Sequence, residues 1–231
     1  MEAAVIENLH DICKSIEIEN KKYDKHCELI AVSKTKPNSL IEAAYSAGHR
    51  AFGENYAQEL QRKAAELPSD IQWHYIGHLQ KSNINKIIKI PNLFCIHTID
   101  SVEITADIVK RIPKERESPI NVMIQVNTSL ETSKSGVSTN EEAIEIAKYI
   151  LSCEKLNLFG FMTIGHPLKP EEGFVKLVET KETVCASLKL DPRLLKLSMG
   201  MSGDYKEAIQ HGSDYVRVGS SIFGARDYSK K

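Results

Sequence analysis

The sequence predicts a (β/α)8 barrel, a TIM-type fold, formed as one domain over residues 1–231. Three observations carry that reading. Short β-like runs alternate with amphipathic helical runs along the whole chain. Eight such β-like runs can be counted with no long linker between them, within a length typical of one barrel. The residues just after each run are rich in glycine and polar side chains while the runs themselves are not, as at the active face of a barrel. The same alternation permits an open doubly wound sheet, the competing fold.

The elements follow in order. Val5, Leu9, Ile12 and Ile16 recur at helical spacing and define a first helix. Strand-like runs are expected at 28–33, 50–53, 72–76, 93–97, 120–126, 157–162, 194–198 and 214–218. Helical patterns fall near 39–47, 55–66, 80–89, 101–111, 140–152, 171–188 and 204–211. Pro37 suits a first helical turn, Asn38 or Ser39 is placed to cap the helix that follows, and Gly48 and Gly212 are placed to end theirs. In the basic stretch 81–90, Ile84, Ile87 and Ile88 form an inward face and leave Lys81 and Lys89 solvated, the pattern of a barrel helix rather than a membrane-surface segment. Trp73 reads as core. There is no internal repeat and no low-complexity segment.

The composition is that of a water-soluble globular chain. Of its 231 residues 42% are hydrophobic and 26% charged, so a sizeable core is available. Thirty Lys+Arg against 31 Asp+Glu give a net charge of −1, which provides no field for nucleic acid or an anionic membrane. Five cysteines, odd in number and without a CxxC pair, argue against a disulfide framework and for a reducing, cytoplasmic setting. No apolar run reaches the length of a membrane span, and the acidic start (Glu2, Glu7, Asp11) is unlike a signal peptide. No large apolar surface stripe stands out, so a monomer is expected.

Chemistry concentrates at the ends of the strand-like runs. Leu29-Ile30-Ala31-Val32-Ser33-Lys34-Thr35-Lys36-Pro37 begins apolar and ends on a lysine. Alternation puts Ile30, Val32 and Lys34 on one face, so Lys34 points toward the interior. Burial lowers an amine's pKa, and a neutral amine on a rigid strand end can capture a carbonyl. The ordinary alternative is a lysine leaving the strand for solvent. The loops Ser198-Met199-Gly200-Met201-Ser202-Gly203-Asp204 and Gly219-Ser220-Ser221 follow the seventh and eighth runs, where barrels frequently bind phosphate. Each alone is equally a glycine turn with a serine cap. Arg217 lies between Val216 and Val218, so it faces the interior and needs a partner: a carboxylate such as Asp100 or Glu54, or a ligand acceptor. His74 and His78 lie on a strand and its turn with no supporting ligand, and no metal site is expected. The long polar stretch 127–139 is expected to move over the site.

Several of these segments together resemble a known family, the pyridoxal phosphate homeostasis proteins, also called proline synthase co-transcribed homologues. The matching motifs are Ala31-Val32-Ser33-Lys34-Thr35-Lys36-Pro37, Phe52-Gly53-Glu54-Asn55-Tyr56 and Trp73-His74-Tyr75-Ile76-Gly77-His78-Leu79-Gln80. Ser133-Lys134-Ser135-Gly136, Ser198-Met199-Gly200-Met201-Ser202, Val216-Arg217-Val218-Gly219-Ser220 and Ile222-Phe223-Gly224-Ala225-Arg226-Asp227-Tyr228 continue them in order. His78 in the tryptophan motif is similar to the eukaryotic branch. The resemblance implies a barrel similar to the N-terminal domain of alanine racemase. It implies that Lys34 forms a Schiff base with pyridoxal 5′-phosphate (PLP), that Ser198, Gly219 and Ser220 hold the phosphate, that Arg217 meets the pyridine nitrogen, and that Asn55 lies near the ring. It also implies a role in vitamin B6 and amino-acid homeostasis, with PLP-dependent apoenzymes as receivers of the cofactor.

Two physical points favour a carrier without its own turnover. An arginine stays charged and donates to the pyridine nitrogen, leaving it unprotonated and the cofactor a weaker electron sink. A two-base racemase needs a proton donor on each face of its substrate, and the sequence shows only Lys34, with little chain after the eighth run to supply a second domain. A weak amino-acid racemase is the alternative. A lysine aldolase whose phosphate loops hold a sugar phosphate is a third reading.

Overall fold

The computed structural model describes residues 1–131, 134–166 and 168–225. Ser133, Arg226-Asp227-Tyr228 and the C-terminal lysines lie outside the described residues. The eight strand-like runs form β1 (Glu28–Val32), β2 (Ala51–Glu54), β3 (Gln72–Tyr75), β4 (Leu93–Ile99), β5 (Ile120–Gln125), β6 (Leu156–Met162), β7 (Lys196–Ser198) and β8 (Tyr215–Val218). They pair in parallel in chain order, and β8 returns to β1 with Ile30 opposite Arg217. That closure decides for the barrel over the open sheet. The expected run 194–198 is shorter than the sequence suggested. Pro192–Leu194 forms a 3₁₀ turn capped by Asp191, so β7 starts two residues later.

The helices are α1 (Glu2–Tyr23), α2 (Asn38–Ser46), α3 (Ala57–Glu66), α4 (Lys81–Ile88), α5 (Val102–Arg111), α6 (Asn140–Leu151), α7 (Pro170–Leu188), α8 (Tyr205–Gln210) and α9 (Ser220–Phe223). A Ser101 cap starts α5, and a Thr139/Glu142 capping box starts α6. Neither Asn38 nor Ser39 caps α2. The helix begins at Asn38 behind Pro37, and the Asn38 amide donates instead to Glu66 on α3 at 2.6 Å. Gly48 and Gly212 do follow the ends of α2 and α8, at φ 95° and 89° that disfavour a side chain. Because α9 is a single turn, it cannot cover the gap beside β8. The long α1 fills it, packing on α2, α8 and α9 through Val5, Leu9 and Ile16. Among the described residues no helix is long and apolar enough to cross a membrane.

Alternation along the strands divides the core in two. Residues such as Ala31, Phe52, Trp73, Tyr75 and Val216 face the helices and join one large apolar layer. Ile84, Ile87 and Ile88 of α4 belong to it, as expected of a barrel helix, and Lys81 stays at the surface against Glu103. Ile30, Cys95, Met123, Met162 and Tyr215 face inward, with Phe94 and Phe159 packed beside them. Above that apolar plug the barrel interior turns polar, and above the polar layer it opens.

Candidate functional site

The opening is a cavity of about 370 Å³ at the C-terminal ends of the strands, within the roughly 300–1,000 Å³ common for small-molecule sites. Val32 and Lys34 line it from β1 and the turn after it. Ile30, Val32 and Lys34 thus share the inward face that alternation required. Asn55 lines it after β2, and Arg217 after entering the interior from β8. Ser202, Gly203, Gly219 and Ser220 bring a polar, small-residue wall from the two last loops, and Ile76, Met162, Ile164 and Met201 supply an apolar one. Five of the six residues singled out from the sequence, Lys34, Asn55, Arg217, Gly219 and Ser220, therefore reach one cavity.

Ser198 does not. It is the last residue of β7, faces the barrel interior and is fully buried, so its hydroxyl lies beneath the cavity rather than on its wall. The serine of that segment that does line the cavity is Ser202, which was not among the residues singled out from the sequence. Its Oγ accepts from the Gly219 amide at 3.3 Å and from Ser220 Oγ at 3.2 Å, joining the two loops. Asp204 Oδ1 accepts from the Met201 amide at 2.6 Å and holds the turn that presents Ser202. Gly219 is a place where a side chain has little room: a β-carbon there would lie 3.1 Å from the Val32 carbonyl oxygen and 3.2 Å from Val32 Cβ. A β-carbon at Gly77 would collide with the Asn55 carbonyl, so the turn after β3 presses against Asn55.

Arg217 pairs with neither of the expected carboxylates. Glu54 is engaged elsewhere, and the Asp100 carboxylate lies 3.8 Å from His78. The guanidinium donates instead to Ser198 Oγ and to the Thr163 carbonyl, both at 2.8 Å. From Ser198 a polar chain continues inward: Ser198 Oγ lies 3.1 Å from His97 Nδ1, and His97 Nε2 lies 2.9 Å from His74 Nδ1. Arginine can only donate. The assignment that leaves fewest groups unmet has Ser198 donating to His97 and His97 donating to His74, which strands only His74 Nε2, an atom without a partner. Both imidazoles are neutral at physiological pH. Burial pushes His74 down to about 3, and burial, then His74 and Arg217, holds His97 well below the usual histidine range. Burial also lowers Arg217 to about 10, with Asp204 opposing, so it remains charged. The result is a cation at the cavity floor, oriented by neutral groups and not neutralised by a bonded carboxylate.

The turn carrying Lys34 is held tightly. Thr35 has φ 63°, an uncommon value for a β-branched residue that costs on the order of 1–3 kcal/mol. Its amide donates to Glu59 Oε1 at 2.8 Å, and the Lys36 amide closes on the Ser33 carbonyl at 3.1 Å. Lys36 also lines the cavity, and its ammonium donates to the carbonyls of Gly224 and Ala225. His74 and His78 are not brought together: His74 is inside the barrel, and His78 is half exposed at the rim against Ser135. Of the stretch 127–139, the described residues fasten themselves down. Asn127 donates to the carbonyls of Glu131 and Lys134, Gln125 donates to that of Ser135, and Lys134 pairs with Glu131 and donates to the Gly165 carbonyl.

Comparison with known proteins agrees with this fold. The family described as alanine racemase, N-terminal domain, matches residues 8–227. The pyridoxal phosphate homeostasis protein of Homo sapiens is 45% identical over 215 residues, which cover 88% of this chain and 78% of that protein. The protein of the same name from Vibrio alginolyticus is 41% identical, with 98% of this chain and 100% of that one covered. The structure of PipY from Synechococcus elongatus with PLP bound superposes with a TM-score of 0.81 at 28% identity, covering 95% of this chain and all of PipY. Alanine racemase from E. faecalis, at 16% identity and a TM-score of 0.70, shares the fold over 60% of its own chain. With relatives this similar along nearly its whole length, the chain belongs to the pyridoxal phosphate homeostasis proteins, built on the alanine racemase N-terminal fold.

Proposed function

We propose that this protein binds pyridoxal 5′-phosphate in the cavity, holds it as a Schiff base on Lys34, and carries it toward enzymes that need it rather than turning over a substrate. The observation that carries the reading is that Lys34 and Arg217, from neighbouring strands, reach one cavity whose other polar wall is Ser202, Gly203, Gly219 and Ser220. These residues fit the group. The serine and glycine wall suits a phosphate, a charged arginine suits the lone pair of a pyridine nitrogen, and the apolar wall suits a ring. Ser198 then acts on the ligand through Arg217 rather than on the phosphate. When bound, PLP supplies a reactive aldehyde, and a reversible bond to Lys34 limits its free concentration.

The absence of turnover is supported by chemistry at the cavity wall. Among the described lining residues the ionisable groups are Lys34, Lys36 and Arg217, and Lys36 is engaged with two carbonyls. Arg217 stays charged and does not protonate a pyridine nitrogen. Purified protein mixed with PLP should turn yellow, and borohydride should fix a label on Lys34. A protein that stays colourless and takes no label would overturn the cofactor reading and favour a sugar-phosphate ligand. Measurable racemisation of an amino acid by the loaded protein, lost with Lys34, would overturn the carrier reading.

Arg217→Met should lower PLP affinity about tenfold to a hundredfold, as expected for one hydrogen bond from a charged group at about 1.5–3 kcal/mol. Lys34 should still be labelled at high PLP. Titration of the visible band measures this, and unchanged affinity would remove Arg217 from the ligand contacts.

A further inference from the structure

Lys63 on α3 is fully buried, and its ammonium is shared among three acceptors: Glu54 Oε1 at 2.7 Å, Glu59 Oε1 at 2.7 Å and the Ser33 carbonyl at 2.8 Å. Glu59 Oε1 also accepts from the Thr35 amide at 2.8 Å, and Glu54 Oε1 accepts from Ser33 Oγ at 2.6 Å. The Ser33 carbonyl belongs to the peptide group just before Lys34, and the Thr35 amide to the one just after it. One ion cluster therefore grips both peptide planes that flank Lys34. An apolar pair at positions 54 and 63 would serve packing as well as the buried ion pair does. It could not donate to Ser33 or hold Glu59 against the strained Thr35.

We propose that Glu59 and Lys63 are positioning residues for Lys34: by clamping the backbone on both sides they fix the direction in which its amine meets an aldehyde. This rests on the reading of Lys34 as the attachment point. The bond concerned joins Lys34 Nζ, as the neutral amine, to the aldehyde carbon of PLP, and the carbonyl oxygen leaves as water with the two amine protons. Approach along one line matters for that step and matters little for contacts made by the phosphate wall.

The test compares PLP with pyridoxine 5′-phosphate, which has the phosphate and ring but no aldehyde. Glu59 is partly exposed, so its variants are suited to the measurement, and thermal melting checks that each folds. Glu59→Ala should weaken PLP binding, read from the visible band and the borohydride label on Lys34, about tenfold, ~1.4 kcal/mol. Its affinity for pyridoxine phosphate should change less than about twofold. Glu59→Gln, whose amide oxygen still accepts from Thr35, should restore most of the loss. So should Thr35→Gly added to Glu59→Ala, because glycine adopts the φ that threonine must be held in. Parallel weakening of both ligands would show that Glu59 shapes the cavity or the fold and would overturn the clamp, as would wild-type labelling in Glu59→Ala. Wild-type protein that takes no label at Lys34 would overturn the functional reading itself, a result distinct from a labelled wild type with an indifferent Glu59.

Discussion

Replacing Lys34 with alanine should abolish both the visible band and the borohydride-stable label while leaving some PLP bound. The serine and glycine wall of Ser202, Gly203, Gly219 and Ser220, proposed to hold the phosphate, is built from loops remote in sequence from Lys34 and joined to each other through Ser202, so losing one amine does not dismantle it. Two hydrogen bonds to a charged phosphate, at about 1.5–3 kcal/mol each, suffice for roughly millimolar retention. The loss of the covalent bond should weaken overall retention at least a hundredfold, about 2.7 kcal/mol. Equilibrium dialysis measures the residual affinity and absorbance measures the bond. A visible band that survives in Lys34→Ala would place the attachment on another lysine, with Lys36 on the same cavity wall the first to examine. Loss of all binding would mean that the phosphate wall does not hold the ligand independently.

What made Lys34 legible in the sequence was strand alternation: three inward positions in a row, Ile30, Val32 and Lys34, with the last beyond the apolar run. Arg217 was legible for the same reason, between two valines that face the helices. Its partners were not, because they come from two other places, β7 through Ser198 and the end of β6 through Thr163, and Ser198 is itself bonded to His97 of β4. Which inward side chains of a barrel stand beside one another is set by register and shear, which the one-dimensional pattern does not encode. The same limit explains Ser198 and Ser202. Both lie in one polar segment, and only the end of β7 decides that Ser198 points into the barrel while Ser202 reaches the cavity. For the fold, alternation was enough to give eight strands and the helices α1 to α8, while α9, Ser220–Phe223, read only as a loop. The place of α1 was hidden, since nothing local marks α9 as too short to cover β8. Glu59 and Lys63 stand four apart on a helix, the spacing of an ordinary surface pair. Their burial depends on the β1 turn lying against α3, a contact far apart in sequence.

Lys63→Ala should be the most destabilising of the substitutions considered, by about 3–5 kcal/mol, because removing one partner of a buried ion pair leaves the other charge uncompensated. For a chain of this length that corresponds to a fall in Tm of roughly 10 °C. The exposed side of Glu59 lets it relax toward water, but Glu54 is fully buried and its Oε2 already has no partner. Burial holds the Glu54 carboxyl above the ordinary range, with Lys63 opposing, so the alanine variant raises it further. A carboxyl raised in the folded state contributes stability below its unfolded value, near 4.3, and that contribution is lost as pH rises through the folded value. The deficit of Lys63→Ala relative to wild type should therefore be largest near pH 8 and smaller toward pH 5, where the orphaned carboxyl takes up a proton. Denaturant melts at the two pH values measure it. An equal deficit at both would assign the loss to the cavity left by the lysine stem and not to charge. Replacing both partners, Glu54→Gln with Lys63→Met, removes the buried charges together and should recover most of the stability, yet it still lacks the donor that holds the Ser33 carbonyl. Recovered stability with a persistently weak bond at Lys34 would separate the cluster's contribution to the fold from its contribution to the site.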